Sequence, residues 1–265
     1  MTPVEILEGE SPLILGLPHT GTHLPDAIAQ RLNAQGRLLT DTDWHIERLY
    51  AGLVPGATTV RATFHRSVID ANRPPSGDSL YPGQNTTGLV PLTDFDGRAI
   101  WTDPPTPDDI ETRRAAFHAP YHAALAAQIA RVRARHGVAI LYDCHSIRST
   151  IPFLFPGTLP DFNIGTVDGA SCDPRVTEAV LEAVRAAPGY THVLNGRFKG
   201  GWTTRHYGQP GQGVHAIQME LAQATHLASE TPPFAYDPDK AEALRAPLRA
   251  ALNALVALAP QLARP

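Results

Sequence analysis

The chain lacks several features that would have narrowed its role at once. Its 265 residues contain only two cysteines, Cys144 and Cys172. Two are too few for a disulfide framework, and both read as reduced thiols. No apolar run approaches the roughly 20 residues needed to cross a bilayer. The opening residues MTPVEILE carry neither the basic region nor the long apolar region of a secretory signal. A cytoplasmic protein with no membrane partner is therefore expected. Polybasic runs are also missing, and 22 Lys and Arg against 26 Asp and Glu leave a net charge of -4. That balance offers no electrostatic footprint for nucleic acid and points to a small solute as partner. Oligomeric state leaves no mark in the sequence.

Motifs of other chemistries are absent as well. There is no Gly-x-Ser-x-Gly elbow to present Ser146 or Ser149 as a nucleophile. Lys199-Gly200-Gly201 does not follow a strand and open a helix as a phosphate loop does. Cys144 reads as part of a buried strand, where a thiol is unreactive.

What the chain does have is an alternation of strand and helix signals. Residues 12–17 (PLILGL) and 138–142 (VAILY) are continuous apolar runs of the kind a sheet buried on both faces uses, and 58–64, 192–194 and 213–221 read as further strands. Helices are expected over about 25–34 and over 41–53, where Ile46, Leu49, Tyr50 and Leu53 repeat at the helical period. Thr106-Pro107-Asp108-Asp109 is a cap signature for a helix running to His136, kinked at Pro120 and stopped by Gly137. Two more are expected, from Asp173 to near Gly189 and from Pro238 to Leu262. Residues 74–105, rich in Pro, Gly, Thr and Asp, read as one long ordered loop. Alternating elements imply a three-layer α/β/α sandwich around a mixed, mainly parallel sheet. With no repeat and no shift in composition, residues 1–265 are expected to form a single domain.

In such folds ligands bind beyond the carboxyl ends of strands. Four polar segments follow apolar runs: 18–21 (PHTG), 70–73 (DANR), 143–146 (DCHS) and 218–220 (QME). His19 and His145 each follow a buried strand, and two histidines with one carboxylate commonly hold a catalytic zinc. Asp143, two residues before His145, could back its imidazole. Asp41, Asp43 and Glu47 compete as the carboxylate. On a helical wheel Asp43 lies about 70° from the centre of the apolar stripe, against about 110° for Glu47. Asp41 reads as an N-cap and Glu47 as a solvated partner of Arg48 or Arg31. His118 and His122, four apart, lack the intervening acid of a zinc helix and are read as capping or packing residues.

Ten segments in order, PHTG, DTDWHIERLY, RSVIDANRPP, LYPGQ, PYHAAL, DCHSIRS, NIGTVDG, NGRFKGG, TRHYG and IQMELAQ, together resemble the N-formylglutamate amidohydrolase family, over about residues 10–230. That family is similar in fold to zinc carboxypeptidases and aspartoacylases. The resemblance implies a deformylase that releases formate from N-formyl-L-glutamate, the last step of a histidine degradation route, with Zn2+ as cofactor and Co2+ or Fe2+ as alternatives. It gives His19 and His145 the role of ligands. The chain departs from the carboxypeptidase His-x-x-Glu pattern at Thr22, so Asp43 is brought in as third ligand. DANR resembles the pair that grips the substrate carboxylate, which assigns that task to Asn72 and Arg73. Glu220 matches the carboxypeptidase general base. A substrate with two carboxylates needs further cations, among which Arg66, Arg148 and Lys199 are eligible and Arg197 and Arg205 are preferred. The rival expectations are a related zinc hydrolase acting on another N-acyl or N-formimidoyl amino acid, and a ligand-binding protein without turnover.

Overall fold

The computed structural model describes residues 2–80 and 82–263; Tyr81 of the LYPGQ segment lies outside the described residues. Chain order is β1 (Val4–Leu7), β2 (Leu13–Leu17), α1 (Asp26–Ala29), α2 (Ile46–Tyr50), β3 (Thr58–Ala62), α3 (Pro107–Arg113), α4 (Ala119–His136), β4 (Ala139–Ile147), β5 (Phe162–Gly165), α5 (Pro174–Arg185), β6 (His192–Leu194), α6 (Trp202–Tyr207), β7 (Val214–Ala222) and α7 (Pro238–Leu262).

The strands form one sheet in the order β1-β3-β2-β4-β7-β5-β6. β3, β2, β4 and β7 run parallel, while β1 and β5 pair antiparallel at either side. Side chains alternate across the sheet. Leu13, Leu15 and Leu17 join Tyr142, Cys144, Ile217 and Met219 in a core closed by α2, α5 and α7. Ile14, Ala139, Leu141 and Ala216 face the opposite core, closed by Tyr121, Leu125 and Ile129 of α4. This is the three-layer α/β/α architecture. On α7 the buried residues Leu244, Leu248, Ala251, Leu252 and Leu255 keep the helical period, and each leucine so buried contributes about 2 kcal/mol.

Several local departures matter for the site. The helix expected over 41–53 is confined to Ile46–Tyr50, because His45 turns into the left-handed region (φ 62) and leaves Asp41–Trp44 as a loop. Asp41 is no N-cap; its carboxylate accepts the Phe95 N–H at 2.9 Å. The expected kink at Pro120 is spread over a five-residue π segment, Arg114–His118. Proline offers no N–H, and its ring presses on the carbonyl four residues back, so the wider turn relieves both. β4 runs on through the polar DCHS segment to Ile147, since β7 supplies ladder partners as far as Ala222 after β2 has stopped pairing at Asp143. The short strands β1 and β5 and the helix α6 carried too little periodicity to be read beforehand. The long loop is held in place by its own apolar residues, with Leu89, Val90, Phe95, Ile100 and Trp101 buried.

Candidate active site

β4 and β7 pair in a register that sets Asp143 beside Gln218 and His145 beside Glu220. With Tyr142, Cys144 and Met219 committed to one core, alternation turns these four polar residues to the other face at the carboxyl end of the sheet. His19 arrives from the end of β2. The Asp41–Trp44 loop adds Asp43, whose N–H donates to the His19 carbonyl at 3.1 Å. Asp43 is thus inward-facing for a different reason than a helical wheel supplies.

His19, Asp43 and His145 converge, each offering a donor atom within 4.8 Å of the others. Their imidazole centroids lie 5.1 Å apart. Nδ1 of His145 is 3.1 Å from Asp43 Oδ2, and Nδ1 of His19 is 3.8 Å from the same oxygen. The outer nitrogens are engaged elsewhere. Nε2 of His19 donates to Asp70 Oδ1 at 2.7 Å, and Nε2 of His145 lies 3.0 Å from Asp143 Oδ2. Carboxylates behind two imidazoles turn both Nδ1 atoms toward a common point, the arrangement that orients metal-ligating histidines. Nδ1 of His19 is buried and makes no hydrogen bond among the described residues.

Charge is balanced by Arg66, whose guanidinium donates to Asp43 Oδ1 at 2.6 Å. Burial opposes ionisation of Asp43, but Arg66 and then the His145 hydrogen bond hold its carboxyl below the usual range. Asp70 is buried too, and His19 and Arg73 keep it well below. Burial and Arg66 lower His19, which favours the neutral imidazole a metal ligand must be. Burial also opposes charge on His145, yet Asp143 and Asp43 raise it well above the ordinary value. Glu220 is pushed up to about 8 by burial, with His145 working against the rise. Its Oε2 accepts from Gln218 Nε2 at 3.1 Å, and Gln218 Oε1 accepts the Gly201 N–H at 2.7 Å.

The cleft over this cluster is lined by His19, His145, Glu220, Asn72, Arg73 and Arg197, with Asn85, Thr86 and Phe95 toward the long loop. Asn72 packs so closely on Gly201 that a Cβ there would lie 2.3 Å from its Nδ2. Arg73 donates to Thr87 O and Asn72 O, and Arg197 donates to Leu154 O and Asn85 O. Arg205 does not line the cleft; its Nε donates to the Gly200 carbonyl. Two residues without an assigned role in the sequence reading, Asp70 and Gln218, contact the central groups. The signal for Asp70 was available, because it stands two residues before Asn72 as Asp143 stands two before His145.

A cleft at the carboxyl ends of parallel strands, lined by buried titratable groups with shifted pKa values, is the setting of an enzyme active site. The model of the family described as N-formylglutamate amidohydrolase matches residues 11–227, and the chain belongs to that family. It is 52% identical over 253 residues to an N-formylglutamate deformylase of Pseudomonas aeruginosa, covering 94% of each chain. An N-formylglutamate deformylase of Pseudomonas putida is 47% identical over the same share of both chains. Among solved structures, an N-formylglutamate amidohydrolase from Ralstonia eutropha JMP134 superposes with a TM-score of 0.79 at 26% identity, covering 96% of this chain and 98% of that one. A gene product of Agrobacterium tumefaciens shares the fold, with a TM-score of 0.73 at 18% identity over 97% and 96% of the two chains.

Proposed function

We propose that this chain hydrolyses the formyl amide of N-formyl-L-glutamate to formate and L-glutamate, as the last step of a histidine degradation route in the cytoplasm, and that it does so with a bound divalent metal. The observation that carries the reading is the convergence of His19, Asp43 and His145 beside Glu220, in a chain 52% identical to a deformylase named for that substrate.

The residues fit a metal. Two imidazole nitrogens and a carboxylate oxygen suit Zn2+, and Co2+ or Fe2+ accept the same set. The buried, unbonded Nδ1 of His19 is costly unless something occupies it. An ion held by these three residues would supply Lewis acidity at the formyl carbonyl and acidify a water.

Glu220 is the proton carrier. Its carboxylate takes the proton of the attacking water and passes it to the amide nitrogen as the C–N bond breaks, so one group serves both halves of the reaction. Burial, which pushes it to about 8, suits a group that must take a proton and return it near neutrality. Gln218, held by the Gly201 N–H, donates to one oxygen of Glu220 and leaves the other for the water. Asn72 and Arg73 receive one carboxylate of the substrate, and Arg197, across the cleft, receives the second. Arg205 donates to the carbonyl of Gly200, the residue before the Gly201 on which Asn72 packs.

The test is metal analysis of the purified protein with formate release measured before chelation, after it and after metal is restored. N-acetyl-L-glutamate and N-formimidoyl-L-glutamate serve as comparators. Full turnover by metal-free protein sinks the metal assignment, and faster turnover of either comparator sinks the substrate assignment.

A further inference from the structure

His118 and His122 stand one turn apart where the π segment meets α4, with ring centroids 4.3 Å apart. Each imidazole ends on a backbone carbonyl of one short segment. Nε2 of His118 lies 2.9 Å from the Arg73 carbonyl, and Nε2 of His122 lies 2.9 Å from the Ala71 carbonyl. A carbonyl can only accept, so both Nε2 atoms carry the proton and both rings act as fixed donors. Nδ1 of His122 is then an acceptor, and the Tyr207 hydroxyl on α6 shares its one proton between this nitrogen at 3.0 Å and the His122 carbonyl at 3.2 Å. With these atoms committed, the pair does not present two nitrogens to a common ion, despite its spacing.

Asn72 stands between the two gripped carbonyls. Its Oδ1 accepts the Thr203 N–H at 2.8 Å, and its Nδ2 is 3.0 Å from His145 Nε2. Its own N–H donates at 2.8 Å to Asp70 Oδ1, the atom that also faces His19. The gripped carbonyls belong to the 71–72 and 73–74 peptide planes, which bracket the Asn72-Arg73 pair and so limit where both side chains depart. We propose that His118 and His122 are positioning residues that set Asn72 and Arg73 against the substrate carboxylate; the inference rests on the carboxylate-binding role given to those two residues above. The π segment then has a use, because it brings His118 over His122 so that both rings reach the same loop. Burial, and then the neighbouring His118, push His122 down to about 3, and burial lowers His118 too, which favours neutral rings in both.

The experiment compares His118→Leu and His122→Leu with His118→Gln and His122→Gln, in the metal-loaded enzyme, because a glutamine amide can place an N–H near the position of Nε2. Each leucine variant is expected to raise KM for N-formyl-L-glutamate about ten-fold with kcat held within about three-fold. The inhibition constant of L-glutamate should rise in parallel. The glutamine variants should return to within about three-fold of the parent. Thermal melting identifies a leucine variant that has lost its fold, and the glutamine partner then decides. Glutamine variants no better than leucine, or a fall in kcat at unchanged KM, overturn the proposal. If the parent enzyme releases no formate, the substrate reading has failed, and the grip is read from amide hydrogen exchange of residues 70–73. Exchange faster in the leucine than in the glutamine variants supports the grip, and equal exchange overturns it.

Discussion

Asp70 offers the sharpest perturbation of the proposed metal centre, because it does not line the cleft and lies one hydrogen bond behind His19. Its Oδ1 accepts from His19 Nε2 at 2.7 Å and from the Asn72 N–H at 2.8 Å, and its Oδ2 lies 3.9 Å from both Arg66 and Arg73. Asp70→Asn keeps the shape and removes the charge. Two consequences follow. The hydrogen bond to His19 loses its charge assistance, roughly half its strength. An asparagine can also present its amino group to Nε2, which favours the proton on Nδ1, the atom that must be bare to hold an ion. Removing such a carboxylate typically costs 10- to 100-fold in metal affinity, or about 1.4–2.7 kcal/mol. Stability falls as well, since Asp70 is fully buried and Arg66 and Arg73 lose a countercharge; a loss of about 3 kcal/mol is expected. Competition for metal against a chromogenic chelator reads the first effect, and urea unfolding of the metal-free protein reads the second. Metal binding within two-fold of the parent, in a variant that still folds, would refute the assignment of His19 Nδ1 as a ligand atom.

Other outcomes follow from the same geometry. Glu220→Gln should lower kcat by about 10^2–10^4-fold with metal content unchanged and KM within a few-fold, and a variant that turns over normally removes Glu220 from the chemistry. His226, with Nε2 3.0 Å from the Trp44 carbonyl, is pushed by burial from 6.5 to about 4. The unfolded chain therefore binds the proton first as pH falls, and the stability His226 contributes, complete above about 6.5, is lost toward pH 4, by about 2 kcal/mol at pH 5. Urea unfolding at pH 7.5 and pH 5 of the parent and His226→Gln checks this; an equal drop in both proteins would exclude His226 as the source. Leu248→Ala on α7, fully buried, should cost about 3 kcal/mol and leave KM unchanged, which separates loss of core from loss of site.

The same small set of residues explains how much could be read in advance. His19 and His145 were legible because each follows a continuous apolar strand in a fold that opens its cleft at that end of the sheet. Glu220 was legible through the resemblance of its segment. The long helix α7, with its leucines at helical spacing and Asp237 capping its first turn, lay where its period put it. Asp43 was chosen over Asp41 and Glu47 on helix geometry, but the helix begins only at Ile46. Its backbone bond to His19 and its ion pair with Arg66 are long-range contacts that no local period encodes. Arg205 shows the reverse case, a cation in a matching segment that folding leaves outside the cleft.

Local chemistry by itself determined the order of the longer strands and helices, the ends of strands where polar residues gather, and which residue types were available to bind an ion or move a proton. These follow from side-chain period, capping and burial, which act over a few residues. Tertiary structure alone decided the register that sets His145 beside Glu220, the carboxylate of Asp70 that turns His19, and the two histidines that grip the Asn72 segment. Those depend on pairing between residues 45 to 75 positions apart, where the packed fold, and no neighbour along the chain, fixes the distance.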